Sequence, residues 1–352
     1  MSQRTMRAAR FHAADQPIRV EEVPYPEAGP GEVVVRVAAC GICGSDLHFF
    51  DDLPPIVPPP LTLGHEPAGV IESLGAGVTD WAPGDRVALH VGRGCGRCRA
   101  CLADHPTSCP SLKAAGLMID GAFAEAVRVA TDCLVRVPEG VSLAAAAVAT
   151  DCVATPYHSL TCRGGLEKGE RVAVIGVGGL GGQALRLARV LGAAQVVAVD
   201  ASSTALERAR AQGATDTVLA TSVAETAARV LALTEGGVDL ALECVGKPDA
   251  VATGASSLHA GGRLVIVGVG MQPPRIDQPQ VVFLAAELSV LGSFGSHAKD
   301  LAEVLRLQAD GSIDIDAAIS HRIGLEDIAA GFEMLRTKRG DPNRIVVEPG
   351  RP

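Results

Sequence analysis

The stretch Arg171-Val-Ala-Val-Ile175-Gly176-Val-Gly178-Gly179-Leu180-Gly181 decides how this chain is read. Val172–Ile175 is a short apolar run that stops on glycine, and from Leu180 apolar residues recur at helical spacing through Ala184, Leu187, Ala188 and Leu191. The alternation then repeats: Val196–Val199, Ala205–Ala211, Val223–Leu233, Leu240-Ala-Leu242 and Leu264–Val267. Strand–helix units of this length predict a doubly wound parallel sheet. Gly176, Gly178 and Gly181 also satisfy G-x-G-x-x-G, a weak pattern alone but a stronger one between a strand and a helix. Gly176 would make the tight turn, Gly178 would let the backbone approach a pyrophosphate at the helix N-terminus, and Gly181 would let helix and strand pack closely. Asp200 lies 19 residues past Gly181, at the end of the next apolar run. A carboxylate there can accept both ribose hydroxyls and repel a 2′-phosphate, which points to NAD rather than NADP; its competing role is a plain helix cap.

Upstream, residues 1 to about 150 are rich in Val, Gly and Pro, with short runs such as Glu32-Val-Val-Val-Arg-Val37 broken by turn signals at Gly29-Pro-Gly31 and Pro83-Gly-Asp85. That is a β-rich domain. The loop 51–61 carries five prolines. With 352 residues, two domains are expected. Only ten residues are aromatic, so the core should rest on Ala, Val, Leu and Ile. The net charge of −9 disfavours a non-specific nucleic-acid binder and an anionic-membrane binder. No apolar run is long enough to span a bilayer, and the start does not read as a secretory signal, so a cytoplasmic setting is expected.

Reducing surroundings redirect ten cysteines from disulfides toward metals or catalysis. Cys95, Cys98, Cys101 and Cys109 offer four thiolates in one loop, a set that can close a tetrahedral structural Zn²⁺ site; an iron–sulfur cluster is the rival, disfavoured by the gap before Cys109. The segments Cys40-Gly-Ile-Cys43-Gly44-Ser45-Asp46-Leu-His48 and Gly64-His65-Glu66-Pro-Ala-Gly69 bring thiol, imidazole and carboxylates together. Three such protein ligands with one open position make a catalytic zinc site; a lone His65 would more often be an ordinary core histidine.

Taken together, the block Gly64–Val78, the four-cysteine lobe, the nucleotide fingerprint, Val267-Gly-Val269 and Arg344 resemble the zinc-dependent medium-chain alcohol dehydrogenases over almost the whole chain. The resemblance implies an α/β protein: a GroES-like catalytic domain (1–152 plus 296–352) and a Rossmann domain (153–295). It implies Cys43 rather than Cys40 as first zinc ligand, His65 as second, and Asp151 as third, with neighbouring Cys152 as the alternative. Glu66 would lie beside the metal and Asp46 would orient His65. Thr155, Val267, Val269 and Ser293 would contact the nicotinamide half of the cofactor and Arg344 a phosphate, with Gly179, Leu180 and Val245 also binding the cofactor. Gly44 departs from relatives that carry Arg or His there.

The chemistry so implied is hydride transfer between NAD(H) and a small secondary alcohol or its ketone, with the proton leaving through Ser45, the cofactor ribose and His48. Polyol, amino-alcohol and aldehyde-type dehydrogenases are the neighbouring possibilities. A non-catalytic nucleotide-binding protein would lack a metal ligand, and none is missing. A nucleic-acid zinc ribbon conflicts with the acidic charge. Val281–Leu291 reads as an apolar edge strand closing the sheet, and the family associates there, so a homo-oligomer is expected, a tetramer in preference to a dimer.

Overall fold

The computed structural model describes residues 4–51, 56–90 and 92–351; part of the proline-rich loop, residues 52–55, lies outside them. The chain forms two compact units, Met1–Ala154 with Gly295–Pro352, and Thr155–Phe294, against 152/153 and 295/296 in the sequence reading.

In the first unit the long strands Glu32–Ile42 and Glu66–Leu74 pair antiparallel with Gly41 opposite Glu66 and Cys40 opposite Pro67. The other edge of Glu32–Ile42 receives the near-terminal strand Arg344–Val347, with Ile345 opposite Ile42 and Val347 opposite Cys40. Three segments distant in sequence therefore end at one place, the exit of strand Glu32–Ile42. The strands Arg86–Leu89, Leu134–Arg136, Ala126–Ala130 and Ile319–Ile323 complete this sheet, and Arg19–Pro24, Thr5–Phe11 and Leu61–Thr62 form a second.

The core of this unit corrects one expectation. Five of the seven phenylalanines, Phe11, Phe49, Phe50, Phe123 and Phe332, stack edge to face here with centroids 5.1 to 6.0 Å apart. The few aromatics are concentrated rather than diluted, because small curved sheets leave gaps that large flat side chains fill.

The second unit holds six parallel strands, Arg171–Ile175 (β1), Gln195–Asp200 (β2), Asp216–Leu219 (β3), Val238–Glu243 (β4), Leu258–Ile266 (β5) and Ser289–Gly292 (β6), in the order β3-β2-β1-β4-β5-β6. Its core cluster is wholly aliphatic, from Ala173 and Val197 to Leu264, as β-branched strands buried on both faces require. The order reverses between β1 and β4, and in such sheets ligands bind outside the carboxyl ends of the strands at that point. Val281–Leu291 is not one strand: Gln280–Ala285 is a helix, Glu287 turns with φ 49°, and only Ser289–Gly292 pairs. A continuous apolar run carries no period that separates helix from strand.

Candidate active site

Helix Gly44–Asp51 opens directly after strand Glu32–Ile42, and Asp46 organises the junction. Asp46 is fully buried; its Oδ2 accepts the Cys43 amide at 2.9 Å, and its Oδ1 accepts His65 Nδ1 at 3.1 Å. Using Nδ1 as the donor to Asp46 leaves Nε2 as the outward-facing atom, the usual arrangement for a metal-binding histidine. Ser45 Oγ lies 3.0 Å from that Nε2. Asp151 enters from a widened helical turn, Ala149–Val153, that follows helix Leu143–Val148. Single wide turns of this kind re-aim side chains and recur at functional sites. Asp151 Oδ2 is 3.6 Å from both Cys43 Sγ and His65 Nε2.

Donor atoms of Cys43, His65, Glu66 and Asp151 all lie within 4.8 Å of one another. Burial opposes a charge on His65, yet Asp46 first and Asp151 next hold its pKa well above the ordinary value. Surroundings that favour positive charge at this buried position would also attract a cation, and thiolate, imidazole and carboxylate are the donors zinc takes. Cys152 stays outside the group: burial pushes its thiol up to about 12.

Glu66 sits behind the donors with no exposure. Burial pushes its pKa up to about 7, opposed by Arg344. Arg344, for which the resemblance implies a phosphate contact, is 4% exposed, with Nη2 2.9 Å from Glu66 Oε1 and Nη1 donating to the Ile42 carbonyl at 3.0 Å. It holds the Glu66 carboxylate, a partnership invisible across 278 positions of sequence (344 − 66). Gly41 makes room for it: a Cβ there would stand 2.0 Å from Glu66 Oε2. His48 is half-buried on the same helix, one turn beyond Ser45.

In the four-cysteine lobe, Sγ of Cys98 lies 3.5 Å from that of Cys101 and 3.7 Å from that of Cys109. The edge of a zinc tetrahedron with Zn–S of about 2.3 Å is about 3.8 Å, so the thiols fit. Backbone amides of Cys95 and Ser111 donate to Cys109 Sγ, each at 3.3 Å. Amides of Arg97 and Cys98 lower Cys95 to about 6, whereas burial pushes Cys101 up to about 11.

In the second unit, Gly176 turns with φ 86°, Gly178 caps helix Gly179–Val190, and a Cβ on Gly181 would strike the Gly176 carbonyl at 1.9 Å. Leu180 is half-buried in the first turn of this helix. Asp200 Oδ2 accepts the Val177 amide at 2.9 Å and Oδ1 the Ser202 amide at 2.8 Å, while Ser202 itself caps the next helix. Asp200 thus ties β2 to the glycine turn. Val245, Val267 and Val269 follow β4 and β5 at the carboxyl edge. Ser293 bonds Ser159 across 2.9 Å, and the Thr155 carbonyl accepts Ser159 Oγ at 2.7 Å.

Residues 29–139 match the model of the alcohol dehydrogenase GroES-like domain and residues 179–310 that of the zinc-binding dehydrogenases. An alcohol dehydrogenase of Geobacillus stearothermophilus is 35% identical over 97% of this chain and 99% of its own. The chain belongs to the zinc-dependent medium-chain alcohol dehydrogenase family. A sorbitol dehydrogenase of Bacillus subtilis is 31% identical over 98% of each chain. A Sinorhizobium meliloti 1021 structure bound to NADP superposes with TM-score 0.89 at 33% identity, covering 99% of this chain and 100% of that one. Among the described residues no helix is long and apolar enough to cross a membrane. For this dehydrogenase, sequence reasoning missed a buried acid, Glu243 at the end of β4; its signal was a charge closing the apolar run Leu240-Ala-Leu242.

Proposed function

We propose that this dehydrogenase interconverts a small secondary alcohol and its ketone with NAD(H). The observation that carries the reading is the convergence of Cys43, His65, Glu66 and Asp151 within 4.8 Å in a pocket faced by the Ser45 hydroxyl. Cys43, His65 and Asp151 would hold the catalytic zinc, with Glu66 behind it, and the Cys95, Cys98, Cys101 and Cys109 set a structural one. When bound, the ion supplies the Lewis acidity that brings a hydroxyl's pKa toward neutrality, and the nicotinamide supplies the hydride partner. Asp46 keeps His65 in the Nε2-outward tautomer. Ser45 Oγ can take a proton from a substrate hydroxyl as it gives up its own, and His48, three residues on and so on the same helix face, is next in line toward solvent. Asp200 supports NAD over NADP, since its carboxylate would repel a 2′-phosphate. A reducing cytoplasm suits ten cysteines without a disulfide.

The test is nicotinamide absorbance with NAD and NADP against primary, secondary, cyclic and polyhydroxy alcohols, before and after chelation. Activity that survives complete metal removal, or a clear preference for NADP, overturns the proposal. The Bacillus subtilis relative favours one other reading, a polyol substrate; a higher kcat/KM on sorbitol-like polyols than on simple secondary alcohols would select it.

Ser45→Ala is expected to cut turnover by about 10²-fold with zinc content unchanged. Undiminished turnover would remove Ser45 from the proton path.

We further propose a homo-oligomer, a tetramer rather than a dimer. β6 is the terminal strand of its sheet, and the preceding helix exposes Val281 at 71% and Leu284 at 64%. Edge strands with apolar surroundings invite pairing. Light scattering that returns the single-chain mass of 36.0 kDa would refute it.

A further inference from the structure

Glu243 has no exposure and ends β4 beside the topological reversal of the sheet. Its backbone carbonyl accepts the amides of Val267 (2.9 Å) and Gly268 (3.0 Å), which follow β5. Its carboxylate Oε1 accepts the amides of Val245 (2.7 Å) and Gly246 (2.8 Å), which follow β4. One residue therefore satisfies four amides in two separate loops. The loops meet backbone to backbone: a Cβ on Gly268 would lie 2.1 Å from the Gly246 nitrogen, and one on Gly270 2.0 Å from the Gly246 carbonyl oxygen. At that seam the Glu243 carboxylate holds the 245–246 turn through both of its amides.

This staple has two consequences on the ligand side. Val245 and Val269 are held out at 40% and 39% exposure, an apolar surface built on a rigid base. Val245 also packs on the glycine turn, since a Cβ on Gly176 would lie 2.4 Å from Val245 Cγ2. Resting on the dinucleotide reading above, we propose that Glu243 is the positioning residue of the nicotinamide loops: it sets the Val245 and Val269 surface and, through Val245, the glycine turn, without touching the cofactor itself. Its Oε2 receives no hydrogen bond, and burial raises the pKa of the group. A neutral acceptor of the same shape should therefore serve as well as the carboxylate.

The experiment is NADH binding to the full zinc-loaded chain, read by nicotinamide fluorescence, alongside thermal unfolding of the ligand-free protein. Glu243→Ala is expected to raise the NADH Kd about tenfold or more, and Glu243→Gln, which keeps the acceptor, to recover it to within about threefold. Should the alanine variant not fold, Glu243→Asp keeps the charge but withdraws the acceptor, and is expected to lose affinity as alanine would. A lower unfolding temperature with unchanged Kd in the alanine or aspartate variant marks a merely structural residue and overturns the proposal, as does equal loss in Glu243→Gln. A wild-type chain that binds neither NADH nor NADPH overturns the dinucleotide reading as well; wild-type binding with no loss in the variants overturns this inference alone.

Discussion

Asp151→Asn is expected to lower turnover about 10³-fold and to leave one zinc per chain instead of two, while Cys152→Ala keeps both ions. The carboxylate of Asp151 stands 3.6 Å from Cys43 Sγ and from His65 Nε2, where it would offer a bound cation both a ligand oxygen and negative charge. An amide oxygen is a neutral and weaker donor to zinc. Lewis-acid stabilisation amounts to several kcal/mol, and about 4 kcal/mol corresponds to roughly three decades in rate. Cys152 differs by one position but by a large step in chemistry: its buried thiol, pushed up to about 12, is protonated at neutral pH and sits outside the donor group. Metal analysis and steady-state kinetics on both variants decide it. Loss of zinc in Cys152→Ala with retention in Asp151→Asn would reverse the assignment.

Cys98→Ser should remove the other zinc and act on stability rather than on chemistry. Cys98 Sγ is within 3.7 Å of two of its partners, so one oxygen in its place would break the four-thiol set of a loop whose helix, Arg99–Leu102, is four residues long and buries no side chain. Such a loop has no core of its own, and metal binding free energy becomes folding free energy. Losing a structural metal belongs to the mutational effects above about 4 kcal/mol, which at 2–4 °C per kcal/mol lowers the unfolding temperature by roughly 10 °C. The catalytic zinc stays in place. Unchanged thermal stability in a variant shown to carry one ion per chain would refute a structural role for the lobe.

How much of the site was legible depended on sequence distance. The four cysteines announce themselves because they fall within fifteen positions (95 to 109). The glycine turn does so because each glycine answers a local steric demand, such as the 1.9 Å approach at Gly181. Cys43, Ser45, Asp46 and His65 were reachable through short flanking motifs. The Arg344–Glu66 pair was not, because only the register of three strands brings those side chains together. The widened turn that aims Asp151 was equally hidden: the buried alanines 144–147 before it specify a helix but not where its pitch changes.

The sequence alone determined the class of each part: strand–helix alternation for the nucleotide unit, a four-thiol lobe, and a thiol–imidazole–carboxylate set for the reaction. The first two follow from periodicity and spacing, which are local properties of the chain, and the third from the resemblance carried by short motifs around Cys43 and His65. Tertiary structure showed that Asp151 and Glu66 stand beside Cys43 and His65, what steadies Glu66, and that Glu243 ties two loops under one carboxylate. Each of those depends on strand register and backbone seams, where a shift of one residue turns a side chain to the opposite face and no neighbouring residue records the difference.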